Sequence, residues 1–382
     1  MYRNAVFTVN KKYFLLIKFF SVMKSLKLKK YPRQTVNKTG LAASPIIVSS
    51  PPKSDTTSRV VSDSDVHLKL YKSLQGHQKI MSWYEQLKNE ITVDHKSLFV
   101  ETRFGQTHII VAGDKKAKPV LLIPGIAGCA PLWRHQINEL SKHFRVFALD
   151  IVGQPGKSDP NPPSVFNNDY SNWFQDVVQN LGLHKPHCIG VSTGATTAMD
   201  VAILKSGLID RVVMCGPTGL ARARLPFHQW FSRAMAKKKD ADVLEGELTA
   251  SSFSKPRSGK SFGSFDRQLA RGMALCTRFY RVDKSLGIYN EKTSRISLLK
   301  GLRVIGKFFF TVEKKRLKRF KNQGLLIFGE YEVLYNPKKV AKKIKKLIPT
   351  IDVEIINDAG HAAIYDQPEE VNKKVISFLQ SK

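Results

Sequence analysis

A chain of 382 residues with 42% apolar and 10% aromatic side chains holds material for one large α/β domain or two average ones. That excludes a wholly disordered or fibrous chain. Its 62 basic residues against 31 acidic ones leave a formal charge of +31, which favours solubility and attraction to nucleic acid or anionic lipid without choosing between them.

Residues 1–54 contain Lys and Arg throughout and no acidic residue, Asp55 being the first. The apolar run Tyr13 to Met23 is broken by Lys18 and falls well short of the roughly 20 residues that cross a bilayer. It leads into the lysine-rich stretch Lys24 to Lys30 rather than into small residues, which argues against a cleaved secretory signal. A cytoplasmic chain is expected, with organelle targeting by this basic segment as the alternative; weak contact with an anionic membrane surface also suits it. The Ser-, Pro- and Thr-rich stretch from Ala42 to Ser64 reads as linker.

From Asp65 the texture changes. The segment His67 to Asn89 has the spacing of one or two lead-in helices. Ser97 to Thr102 and Thr107 to Ala112, joined by Arg103-Phe104-Gly105-Gln106, read as a β-hairpin. Short apolar runs then recur at Pro119 to Ile123, Arg145 to Asp150, His187 to Val191, Arg211 to Cys215, Gly324 to Phe328 and Asp352 to Asn357, most of them flanked by helical segments. Continuous apolar strands alternating with helices predict a mostly parallel sheet covered on both faces.

The alternation lapses once, between Cys215 and Gly324, an interval too long for a simple crossover. Its amphipathic pieces, Phe227 to Lys237, Phe265 to Cys276 and Ile296 to Phe309, predict an inserted helical cap over the carboxyl edge of the sheet. The basic runs Lys237-Lys238-Lys239 and Lys314 to Lys321 read as solvated helix faces.

The sharpest local feature is Gly190-Val191-Ser192-Thr193-Gly194, a G-x-S-x-G pattern at the end of one predicted strand and ahead of a helix predicted over Ala195 to Lys205. So tight a turn would push the Ser192 hydroxyl out at the sheet edge, and the helix start would aim unpaired N–H groups at negative charge forming there. Downstream, Glu330 and Glu332 follow the strand ending in Phe328-Gly329, and His361 follows the last strand. Serine, acid and histidine therefore occur in one characteristic order, each after a strand.

With these motifs the sequence resembles the α/β-hydrolase superfamily from about Ser97 to Leu379, and within it bacterial-type carboxylesterases with a helical cap. Leu122-Ile123-Pro124-Gly125-Ile126-Ala127-Gly128 resembles the family's oxyanion loop, with Pro124 where many members carry histidine. Asp150-Ile151-Val152-Gly153-Gln154-Pro155-Gly156-Lys157-Ser158 looks like the family's D-x-x-G-x-G-x-S turn with one residue more. The resemblance implies an α/β-hydrolase core over 65–216 and 323–382, a cap over 217–322 and a basic disordered or targeting segment with linker over 1–64. It also implies Ser192 as nucleophile, His361 as general base and Glu332 as orienting acid, with Glu330 as the competing acid. The oxyanion donors would be the N–H groups of Ile126 and Thr193.

Such a site needs no cofactor or metal, and the remaining histidines show no H-E-x-x-H spacing. Cys129, Cys188, Cys215 and Cys276 lie far apart, without a C-x-x-C pair or the density of a disulfide scaffold, and Cys129 reads as a packed thiol. Trp133, Trp173 and Trp230 are candidates to line an apolar acyl pocket. The expected activity is cleavage of a small-molecule or lipid-like ester through an acyl-enzyme. Acyl transfer, thioester cleavage, C–C hydrolysis and a non-catalytic binding role on the same fold are the alternatives. No zinc-finger, RRM or basic-zipper pattern points to specific nucleic-acid recognition.

Overall fold

The computed structural model describes residues 69–223, 266–290, 293, 295–309 and 314–381. The expected basic segment and linker over 1–64, the cap piece Phe227 to Lys237, the run Lys237-Lys238-Lys239 and Trp230 lie outside the described residues.

The lead-in segment holds α1 (Leu74–Asn89), started by Ser73, whose side chain accepts the Gly76 N–H. The hairpin follows as β1 (His95–Val100) and β2 (Thr107–Ala112). Then come β3 (Pro119–Ile123), a 3-10 turn (Ala130–Trp133), α2 (Arg134–Leu140), β4 (Arg145–Leu149) and α3 (Asp169–Asn180). The central pair is β5 (His187–Val191) and α4 (Thr193–Leu204), after which β6 (Val212–Cys215) leads to the insertion. The insertion's described part holds α5 (Arg267–Phe279), a short turn (Val282–Ser285), two-residue strands Tyr289–Asn290 and Arg295–Ile296, and α6 (Leu298–Phe309). The chain closes with β7 (Gly324–Gly329), α7 (Pro337–Leu347), β8 (Ile351–Ile356) and α8 (Pro368–Gln380).

The strands build one eight-stranded sheet in the order β1-β2-β4-β3-β5-β6-β7-β8. Only β2 runs against the others; β4, β3, β5, β6, β7 and β8 are mutually parallel. Because each crossover puts its helix on one face or the other, the inner strands are buried on both sides, which is why β3, β5 and β6 read as unbroken apolar runs. One face packs on Trp83 and Leu87 of α1, Ile137 of α2 and Val371, Val375 and Leu379 of α8. The other packs on Trp173 and Val177 of α3, Ala198 of α4 and Val340 and Ile344 of α7. In α8 the buried residues sit four apart, the stripe that one helical face presents.

The predicted strands all form, with ends displaced by a residue or two. The helix after the serine starts at Thr193 rather than Ala195, because Ser192 itself occupies the non-helical position before the first turn. In the cap, α5 runs to Phe279, beyond the apolar pattern that ended at Cys276, with Asp266 accepting the Gln268 and Leu269 N–H groups at its start.

The root of the cap is fastened by buried polar contacts. The Arg134 guanidinium reaches Glu90 at 2.5 Å and Asp266 at 2.9 Å. The Trp83 indole N–H donates to the Gln268 carbonyl at 3.0 Å, and the Gly272 Cα lies so close to that ring that a side chain there would overlap it.

Asp150, fully buried at the end of β4, ties the loops of the catalytic edge together. Its carboxylate accepts the Ala130 N–H at 2.6 Å, the Lys157 N–H at 3.0 Å and the Tyr84 hydroxyl at 2.9 Å, and lies 2.9 Å from His108 Nδ1. Asp150→Ala strands these donors inside the protein, so chemical denaturation should report a loss of about 3–5 kcal/mol. A loss under roughly 1 kcal/mol would mean that water replaces the carboxylate.

Candidate active site

β5 delivers the chain into a bend at Ser192, whose φ of 54° and ψ of −117° place an L-residue in territory that side chains rarely occupy. The bend closes because its flanking residues have no side chain. A Cβ on Gly190 would lie 2.4 Å from the Gly194 carbonyl oxygen, and one on Gly194 would lie 2.2 Å from the Ile123 carbonyl oxygen. The Ser192 N–H donates across to Cys215 O at 2.8 Å, which holds the bend to β6.

The hydroxyl so presented meets the expected partners. Ser192 Oγ lies 3.0 Å from His361 Nε2, and His361 Nδ1 lies 2.9 Å from both carboxylate oxygens of Glu332. Glu332 is fixed in turn by the Leu334 N–H, 2.8 Å from its Oε1. Histidine and glutamate are both buried, at 5% and 4% exposure, while the serine is half-buried. Glu330, the competing acid, is exposed and accepts the Asp358 N–H at 3.3 Å; it has no bond to the imidazole. The choice follows from the turn after β7: Glu332 folds back beneath the sheet edge while Glu330 remains at the surface.

Burial pulls the His361 pKa down, and the Glu332 charge and hydrogen bond outweigh it, so the imidazole titrates above the ordinary 6.5. Behind it, burial raises the Asp366 carboxyl to about 7 even though the Gly360 N–H donates to it at 2.8 Å.

The loop after β3 packs directly over the bend, where a Cβ on Gly125 would stand 3.3 Å from Ser192 Cβ. Ile126 and Thr193 flank the same spot and line the adjoining cavities. Ile126 and Thr193 thus belong to the two segments that border Ser192.

Sequence reasoning missed what holds that loop. Ala127 is a non-glycine residue at φ 59°. Its N–H donates to Gln154 Oε1 at 2.9 Å, its carbonyl faces the Cys276 thiol at 3.6 Å, and Gln154 Nε2 donates to Ser285 Oγ of the cap at 2.7 Å. Gln154 lies in the quoted Asp150 to Ser158 turn, but its side-chain partners Ala127 and Ser285 come from two segments distant in sequence, so nothing local signalled the clamp.

Over Ser192 and His361 opens a cavity of about 300 Å³. Its walls are mainly apolar, with Trp83, Leu132, Leu269, Met273, Val282 and Tyr365 prominent among them. The tryptophan expectation needs correction. Trp133 and Trp173 are fully buried in the core, the first edge-on to Tyr365 and the second bonded through its N–H to Thr107 Oγ1, because both arise from helices pressed onto the sheet. Trp83 of the lead-in helix lines the cavity instead. Cys129 is buried, with its thiol pushed well above the usual range by burial, the packed thiol expected.

A sequence model of the alpha/beta hydrolase fold matches residues 118–368. Carboxylesterase YbfK of Bacillus subtilis (strain 168) is 29% identical over 299 residues, 78% of this chain and 92% of that protein. The crystal structure of carboxylesterase CesB (YbfK) from Bacillus subtilis superposes with a TM-score of 0.64 at 26% identity, covering 80% of this chain and 99% of that one. That of naproxen esterase (carboxylesterase NP) from the same organism gives a TM-score of 0.64 at 25% identity, covering 81% and 100%. From its strand order, its nucleophile bend and the family match spanning most of its length, the chain belongs to the alpha/beta hydrolase fold family.

Proposed function

We propose that this protein is a serine carboxylesterase that hydrolyses esters of apolar character through Ser192, His361 and Glu332. The observation that carries the reading is the unbroken hydrogen-bonded line from Ser192 Oγ through His361 to Glu332, opening into an apolar cavity. Two Bacillus subtilis relatives described as carboxylesterases, each 29% identical, support it.

In this mechanism His361 Nε2 takes the Ser192 proton as Oγ attacks the ester carbonyl, and the oxygen that gains negative charge is met by the Ile126 and Thr193 N–H groups. Collapse of the tetrahedral species breaks the C–O bond, with His361 returning the proton to the departing alcohol. Water then repeats the sequence on the acyl-serine and frees the acid. Glu332 keeps Nδ1 protonated, so that Nε2 faces serine with its lone pair, and stabilises the imidazolium formed during both halves. The cavity holds an apolar group of the substrate away from water, which favours binding in proportion to the area covered. Cleavage needs no metal or cofactor.

A fluorophosphonate probe should label the protein, with mass mapping placing the adduct on Ser192; labelling elsewhere, or none, overturns the assignment. Ser192→Ala should lower kcat on p-nitrophenyl esters by roughly 10⁴-fold or more with an unchanged circular dichroism spectrum. Glu332→Gln should cost on the order of 10³–10⁴-fold in kcat, whereas Glu330→Gln stays within about threefold. Equal losses in the two glutamine variants would remove Glu332 from the proposed role.

Because the base must be neutral, kcat/KM should rise with pH through the His361 pKa, on a limb centred above 6.5. Removing the Glu332 charge lowers that pKa and moves the limb to lower pH. A limb that does not move in Glu332→Gln would show that the carboxylate is not what sets the imidazole.

A further inference from the structure

The carboxyl edge of the sheet holds the catalytic groups; the opposite edge is basic. β4, β3, β5, β6, β7 and β8 all start there, and their first residues lie in register: Pro119 beside Arg145, Val120 beside His187, Cys188 beside Val212, Val212 beside Gly324 and Gly324 beside Ile351. The residues just upstream are bonded in the same row. Arg145 N–H donates to Lys118 O, Cys188 N–H to Arg211 O, Val212 N–H to Gln323 O and Gly324 N–H to Thr350 O. Whatever side chains precede these strands therefore share one edge of the molecule.

Those side chains are cationic in strand after strand. Lys115 and Lys116 come ahead of β3, Lys185 ahead of β5, Lys318, Arg319 and Lys321 ahead of β7, and Lys345 and Lys346 ahead of β8. All are exposed, and none forms an ion pair among the described residues. The acids on this edge do little to offset them. Asp210 is taken by Lys118 and Glu139 by Lys142, leaving Asp114 and Asp352 as the exposed negative groups close by. At about 4.8 Å per strand the row extends on the order of 25 Å, about three Debye lengths at physiological salt, so an anionic surface along it would feel several of these charges at once.

We propose that this amino-terminal edge of the sheet docks the enzyme on an anionic lipid bilayer, leaving the Ser192 cavity facing away from it. The chemistry of the patch favours lipid over nucleic acid. Its free cations are lysines but for Arg319, whereas Arg145 and Arg211 are turned onto the carbonyls of Gly113 and Phe378. Lysine is a point charge without the fork that grips phosphate or stacks on bases. Among the described residues the exposed large hydrophobic side chains are Leu74, Phe99, Ile126 and Leu299, and none belongs to the segments that form this row. Neither a stacking platform for bases nor a wedge for the bilayer interior is present in it, so contact is electrostatic and reversed by salt. This inference does not depend on the esterase reading.

The test uses the full chain with vesicles of phosphatidylcholine, with and without phosphatidylserine, followed by co-sedimentation at low and high salt. Lys318→Gln/Lys321→Gln/Lys345→Gln/Lys346→Gln should bind the anionic vesicles at least about tenfold more weakly than the parent. A control with the same charge loss elsewhere, Lys69→Gln/Lys300→Gln/Lys338→Gln/Lys373→Gln, should lose clearly less. Lys115→Gln/Lys116→Gln/Lys185→Gln supplies a second edge variant should the first fail to fold, which an unchanged circular dichroism spectrum and thermal midpoint exclude. Equal losses in edge and control variants overturn the proposal, since net charge or the basic residues 1–54 would then carry the binding. So does a parent that ignores phosphatidylserine, or one whose edge variants lose single-stranded RNA binding but keep vesicle binding.

Discussion

The proposed chemistry of this molecule depends on one backbone conformation, that of Ser192 at φ 54°. Such a conformation costs of order 1–3 kcal/mol and persists only where its surroundings over-determine it. Here they do. β5 enters from one side, α4 leaves on the other, the Ser192 N–H is held by Cys215 O, and residues 190 and 194 approach neighbouring backbone too closely for any side chain. The cost is met by the packing of an entire parallel sheet, which explains why the Ser192 bend stands at its middle rather than on a free loop.

Around that fixed hydroxyl the protein has gathered groups that water would otherwise hold loosely. His361 and Glu332 are both nearly dry, an arrangement tolerable because each satisfies the other and the carboxylate also accepts the Leu334 N–H. The loop beside them is restrained from both ends of Ala127, through Gln154 and Cys276. Preorganisation of this kind is what lets donors act on a developing charge without first rearranging. Together with the carboxylesterase relatives, it supports the proposed reading as a serine ester hydrolase.

Much of this was legible in the amino-acid order because it is local. The G-x-S-x-G bend advertises itself, since only glycine fits its flanks, and the strands announced themselves as short apolar runs because burial on both faces leaves no room for alternation. What was not legible arises from meetings between distant segments. Gln154 gave no hint that its amide joins the Ala127 loop to Ser285 of the cap, and Trp83 gave none that it would face the cavity while Trp133 and Trp173 went into the core. Glu330 and Glu332 could be ranked only by a family's spacing, because two glutamates one residue apart look alike until the turn is folded.

The fastening of α5 carries a consequence for traffic through the cavity. Its first turn is bolted to the core by Arg134 through Asp266 and by the Trp83 indole through Gln268, while Gly272 sits flush on the same indole. A cap so riveted at that end does not lift as a rigid flap. The far end of the helix is tied as well, with the Lys72 N–H donating to the Phe279 carbonyl and the Tyr280 hydroxyl to the Gly153 carbonyl, so α5 stands as a fixed wall of the cavity.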